Sequence, residues 1–104
     1  MTIIEVNKDN FDKEVLGSEK QVLADFNANW CGPCKMLKPI LEEVAANNDS
    51  AKIVSINVDD EDELAEKYNV SSIPCLIVFK DGKEIKRNVG LMSKDAIEDM
   101  IGGE

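Results

Sequence analysis

The chain has 104 residues, 43% of them hydrophobic, with 21 acidic and 12 basic side chains, three cysteines and no histidine. That length suits one domain, 1–104, and the apolar content allows a real core and excludes a disordered chain. The net charge of −9 argues against nucleic acid or an anionic membrane surface as a partner.

Taken in chain order, the N-terminal MTIIEVNKDNF has no basic segment before an apolar run, so no signal peptide is expected. No apolar stretch is long enough to span a bilayer. The expectation is a cytoplasmic protein whose thiols are kept reduced. Residues 2–6 (TIIEV) read as a short strand. Residues 7–18 read as a helix with Phe11, Val15 and Leu16 on one face and Gly17 near its end. Residues 21–28 (QVLADFNA) are an apolar run of strand length, as expected for a strand covered on both faces.

Residues 35–48 are helical, with Met36, Leu37, Ile40, Leu41 and Val44 repeating at three and four; Pro39 within them predicts a kink. Residues 52–59 (KIVSINVD) are a β-branched strand. Residues 60–70 open on Asp60 with Glu63 three positions on, a capping pattern, and the acidic run 59–63 reads as a solvated helix start favoured by the dipole. Residues 75–80 and 83–89 form a hairpin about Asp81-Gly82. Residues 93–101 close as a helix with Ser93 as N-cap, and the last three residues read as a frayed end. The order β-α-β-α-β-α-β-β-α implies a three-layer α/β/α domain with parallel pairs, right-handed crossovers and a central sheet made mixed by the final hairpin.

The segment NWCGPCKM, 29–36, carries the chemistry. A closely spaced thiol pair can grip a metal, form a static staple, or cycle between dithiol and disulfide. A closed zinc site needs four ligands; with no histidine and only the distant Cys75 left, the usual set is unmet. An odd cysteine count and a cytosolic setting fit a staple poorly. Cys31 instead follows a buried strand and stands where the next helix begins. There the unpaired N–H groups and the dipole favour an anion such as a thiolate. Gly32 permits the tight turn, and Pro33 gives up an N–H that a helix start does not use. Cys34, one turn along, is within disulfide reach. This geometry suits attack on a substrate disulfide by one thiolate and release through the second.

Across its whole length the chain resembles the thioredoxins. The resemblance rests on WCGPCK at 30–35, DF at 25–26, Pro39, SIPCLIVFK at 72–80, DG at 81–82 and VG at 89–90. It implies a thioredoxin-like fold and a protein-disulfide reductase without a bound cofactor or metal. Its partners would be disulfide-containing proteins and a thioredoxin reductase, and it would act as a monomer. By the same resemblance Cys31 is the nucleophile, Cys34 the resolving thiol and Asp25 the buried acid. Pro74 would be a cis-proline, with Trp30, Gly32, Pro33, Ile73 and Gly90 lining the substrate groove. Asp25 sits in a run without polar alternation, so burial should raise its pKa and make it a proton acceptor for Cys34. Cys75 is expected to be a buried, inert thiol.

The chain departs from the family pattern at Asn27, where a Trp is usual, at Ser55 for Lys, at Cys75 for Thr and at Leu91 for Ala. The alternatives are a disulfide oxidase or isomerase of the same fold, and a non-catalytic module that uses the fold as a docking surface.

Overall fold

The structure, a computed structural model, describes residues 3–102. The apolar runs of the sequence form the middle of a five-stranded sheet. Its strands are β1 (Ile4–Glu5), β2 (Val22–Asn27), β3 (Lys52–Asn57), β4 (Cys75–Lys80) and β5 (Lys83–Val89), in the order β1-β3-β2-β4-β5. β3 pairs parallel with both β1 and β2, whereas β4 runs antiparallel to β2 and to β5. The sheet therefore becomes mixed at β4, one strand earlier than the hairpin alone requires. The hairpin turn is as expected: Asp81 (φ 53°) and Gly82 (φ 80°) both adopt the left-handed conformation that a two-residue type I′ turn needs.

Helices cover both faces. α1 (Gly32–Asn47) and α3 (Lys94–Gly102) pack on one side, where Leu37, Leu41, Val44, Ile97 and Ile101 meet Leu23, Ile53, Leu76 and Val78. The six-residue α2 (Asp62–Lys67) and a short π-helical segment, Asp12–Leu16, cover the other. There Phe11, Val15, Leu64 and Ala65 meet Val22, Ala24, Phe26, Ile77 and Phe79. The period-2 alternation of β2 and β4 sends successive side chains to opposite cores. Phe11, Tyr68 and Phe79 close the second core as three mutually contacting rings, 5.2–6.0 Å apart between centroids.

Several sequence expectations need correction. Helix is confined to 12–16 within 7–18, because Asn7 and Asn10 capture backbone N–H groups. Asn7 Oδ1 accepts from Asp9 and Asn10, and Asn10 Oδ1 accepts from Asn7. Such side chains compete with the helical ladder. Met36 is 61% exposed, one step round from the stripe Leu37, Leu41, Val44 and Ala45 that faces the sheet. The helix expected at 35–48 is present as part of α1 and contains Pro39. α2 has no side-chain cap from Asp60 or Glu63; the Asn57 side chain takes the N–H groups of Asp59 and Asp60 instead. Ser93 does cap α3, its Oγ accepting from Ala96 N–H at 3.1 Å. Gly102 is the last residue of α3. Thr2 of the expected first strand and residues 103–104 of the expected frayed end lie outside the described residues.

Phe79 is fully buried and touches both other rings. Phe79→Ala should cost about 3–5 kcal/mol of stability, seen as a lower denaturant midpoint with little change in slope.

Candidate active site

β2 leaves the sheet at Asn27, and residues 28–31 turn directly into α1. Cys31 is the N-cap of that helix: its backbone is extended (φ −87°, ψ 114°) and its Sγ accepts the N–H of Cys34 at 3.2 Å. Hydrogen bonding of this kind, at the positive end of a 16-residue helix, stabilises a thiolate on Cys31. Cys31 and Cys34 are joined as a disulfide with their α-carbons 5.2 Å apart. Both are covered in the disulfide form, at 4% and 5% exposure. Packing against Ala28, Val58 and Ile73 accounts for the cover. Gly32 and Pro33 are exposed.

The residues expected to line the groove lie on three separate segments, 30–33, 73–74 and 90. Trp30 is 68% exposed, so it is not core, and its indole N–H donates to Asp59 Oδ2 at 2.8 Å. The Ile73-Pro74 peptide is cis, with Ile73 half-buried and Pro74 buried. Among the described residues the Ile73 backbone makes no hydrogen bond. Gly90 N–H donates to the Pro74 carbonyl at 2.8 Å, and its φ of +105° is a conformation that side-chain-bearing residues rarely adopt. Leu91, beside it, is exposed.

Asp25 is the one buried charged or polar residue in the described core, at 6% exposure. It faces the α1 side of the sheet and lines, with Cys34, a cleft of about 860 Å³. Burial pushes its carboxyl up to about 7; the hydrogen bond from Asn27 pulls down, and the charge of Glu5 adds to the rise. Oδ2 accepts from Asn27 Nδ2 at 3.2 Å, and Oδ1 has no hydrogen-bond partner among the described residues. Cys75 is fully buried at the start of β4, in the core on the opposite face of the sheet from Asp25, and burial raises its thiol.

Sequence reasoning missed two features here. The departure at Asn27 is a hydrogen-bonding partner of the buried acid as well as a lost ring. Strand alternation alone places Asn27 on the face of Asp25. The acidic run 59–63 is more than a solvated helix start: Asp59 holds the Trp30 indole, and Glu61 Oε1 accepts the N–H of Lys8 at 2.9 Å. These contacts join segments far apart in the chain, so no local signal announces them. Among the described residues no group of three or more His, Cys, Asp or Glu side chains is arranged to hold a metal ion. No described helix is long and apolar enough to cross a membrane.

A sequence model of the thioredoxin family matches residues 2–102. The chain belongs to the thioredoxin family. It is 50% identical over 96 residues to a thioredoxin of Chlamydia caviae, covering 92% of each chain. It is 46% identical over 102 residues to a thioredoxin of Bacillus subtilis, covering 97% of this chain and 96% of the relative. A solved mutant thioredoxin from Halobacterium salinarum NRC-1 superposes with a TM-score of 0.89 at 39% identity, covering 96% of this chain and 88% of that one. The thioredoxin motif and the paired Cys31 and Cys34 make this chain a thiol–disulfide oxidoreductase of the protein-disulfide reductase type.

Two predictions follow from the burial of Asp25 and Cys75. With the Asp25 carboxyl raised from an ordinary 3.8 to about 7, the folded and unfolded states bind the same protons below pH 3.8 and the acid costs nothing there. Between those values the unfolded state ionises first, so stability falls as pH rises, by an amount on the order of 4 kcal/mol above pH 7. Asp25→Asn should therefore stabilise the fold at pH 9 and change it little at pH 4, measured by denaturant unfolding across that range. Cys75→Thr should leave reductase turnover nearly unchanged, because the thiol is packed inside the core; strong protection of that variant against oxidative inactivation would contradict this.

Proposed function

We propose that residues 1–104 form a single domain that reduces disulfides in partner proteins, with Cys31 as nucleophile, Cys34 as resolving thiol and Asp25 as the proton acceptor for Cys34. The observation that carries this reading is the N-cap geometry, in which Cys31 Sγ accepts the Cys34 N–H at the positive end of α1. In the reduced protein the Cys31 thiolate attacks one sulfur of the substrate disulfide and expels the other as a thiolate. Cys34 passes its proton to Asp25 and attacks Cys31 Sγ. The Cys31–Cys34 bond forms, the bond to substrate breaks, and the second substrate sulfur leaves as a thiolate. Two electrons have then moved to the substrate, and a thioredoxin reductase returns two to the disulfide. The protein holds no cofactor of its own and acts as a monomer in a reducing compartment, the cytoplasm.

Trp30, Gly32, Pro33, Ile73, Pro74 and Gly90 line the substrate groove. The exposed indole offers a flat apolar contact, and the Ile73 backbone, unpaired among the described residues, can pair with an extended segment of substrate. An acidic surface with an apolar patch at the disulfide suits protein substrates better than nucleic acid or anionic lipid.

The test is coupled turnover with a thioredoxin reductase and a disulfide-bonded protein. Cys31→Ser should abolish turnover, whereas Cys34→Ser should accumulate mixed disulfides with the substrate. Alkylation of the reduced protein at neutral pH should label Cys31 first; labelling of Cys34 first would reverse the assignment. A reduction potential well above the cytosolic poise would favour an oxidase instead.

A further inference from the structure

Asn27 lies two residues beyond Asp25 on β2, so both side chains project to the same face. Strand register sets Asp25 beside Ser55 of β3. Asn27 Nδ2 lies 2.8 Å from Ser55 Oγ, 3.0 Å from the Asp25 carbonyl and 3.2 Å from Asp25 Oδ2. The Asp25 carbonyl only accepts, which fixes the amide with its NH2 towards Asp25. Two amide hydrogens are thus divided among three acceptors. The two carboxyl oxygens become inequivalent: Oδ2 is held, and Oδ1 has no partner among the described residues.

From this geometry we infer that Asn27 is a positioning residue for the exchange reaction, clamping Asp25 Oδ2 while sharing its N–H groups with Ser55, so that Oδ1 is the oxygen that exchanges the proton with Cys34. The inference rests on Asp25 being the acceptor proposed above. In the resolving step the Cys34 S–H bond breaks and an Oδ1–H bond forms. The freed sulfur pair makes the bond to Cys31 Sγ, and the bond from Cys31 to substrate breaks with its electrons leaving on the substrate sulfur. Asn27 stays bound to Oδ2 throughout and favours the ionised carboxyl, as its downward pull on that group requires. The other titratable groups around this carboxyl are Glu5 on β1, Cys34, Lys35, Lys38 and Glu42 on α1, and Cys75 on β4; Ser55 and Asn57 on β3 are neutral. Among the described residues none of them hydrogen-bonds to Oδ1 or Oδ2, so Asn27 is the direct contact through which this carboxylate is tuned.

Two substitutions shift the carboxyl in opposite directions. Asn27→Leu removes the donor at similar volume. A hydrogen bond to a charged group is strong enough that its loss should move the Asp25 titration up by about one unit or more. Ser55→Ala removes a competing acceptor, commits the amide to Oδ2 and should move the titration down. The readouts are the Asp25 carboxyl titration by NMR in the reduced full chain, and the second thionitrobenzoate released when reduced protein meets one equivalent of its symmetric disulfide. That second phase is the attack of Cys34 on Cys31, and it is followed from pH 5 to 10. Asn27→Leu should slow it roughly fivefold at pH 7, with near-complete recovery at pH 9, as expected when an acceptor poised at about 7 moves up by one unit.

A role in packing alone would instead slow the phase equally at every pH. An unmoved midpoint in Asn27→Leu, or a Ser55→Ala shift in the same direction as Asn27→Leu, overturns the inference. If Asn27→Leu does not fold, Ser55→Ala decides by itself: a downward shift supports the inference, and no shift or an upward one overturns it. Asp25→Asn separates the two levels. Should it resolve as fast as wild type, the acceptor role falls and this inference with it; should it be slow while Asn27→Leu keeps the wild-type midpoint, only the inference falls.

Discussion

Burial of β2 on both faces is the constraint on which the rest of the molecule depends. Its residues Val22 to Phe26 are at most 6% exposed, with β3 on one side and β4 on the other. A strand so placed cannot slip by one residue without exchanging the contents of two cores. Its end is therefore a fixed point, and the chain passes from it through four residues into α1. The helix is anchored in turn by Leu37, Leu41 and Val44 on the same sheet. Cys31 is held at the junction, where rigid elements on both sides fix the sulfur relative to the helix N-terminus. The segments expected to form the groove around it, Trp30, the cis-Pro74 loop and Gly90, are loops, with Trp30 bonded to Asp59 and Gly90 to Pro74. This division is the usual one between a rigid scaffold and the loops that carry function.

The same burial places an acid where acids are costly. Asp25 occupies a position in β2 whose neighbours are Leu23 on its own face and Leu76 across the ladder. Water is largely excluded from it, so its ionised form is disfavoured, and that is what moves a carboxyl into the range of neutral-pH proton exchange. Two opposed electrostatic settings thus serve one thiol pair. The helix terminus supports negative charge on Cys31, and the apolar sheet resists it on Asp25. Asn27 moderates the second setting with a neutral dipole, which lowers the cost of the carboxylate without supplying a counter-charge, while Ser55 draws on the same amide. Stability is given up for this arrangement, as is common where a fold carries chemistry.

Elements with strong local periodicity were legible. α1, the hairpin at Asp81-Gly82, the Ser93 cap and both central strands follow from spacing, turn chemistry and apolar runs. Segments where side chains bid for backbone groups were not. Asn7 and Asn10 replaced most of an expected helix with turns, and Asn57 displaced the expected cap of α2. Those outcomes turn on competition between nearly equal hydrogen bonds, which pattern counting does not weigh. Met36 was misassigned because a one-residue rotation of a helical stripe is decided by the sheet it meets.

By itself the sequence determined the chemistry: two thiols one helical turn apart after a buried strand, an acid in an unbroken apolar run, and an Ile-Pro far along the chain. Each is a statement about residues close in sequence, where covalent geometry and local propensity dominate. Tertiary structure decided how these parts meet. It made β4 antiparallel to β2, brought Asp59 to Trp30 and Gly90 to Pro74, covered both sulfurs with Ala28, Val58 and Ile73, and set Ser55 beside Asp25. The reason is physical: apart from Ala28, these contacts join residues from 16 to 57 positions apart in the chain, and their partners are selected by sheet register and by which apolar faces must be buried together, quantities that no single segment contains.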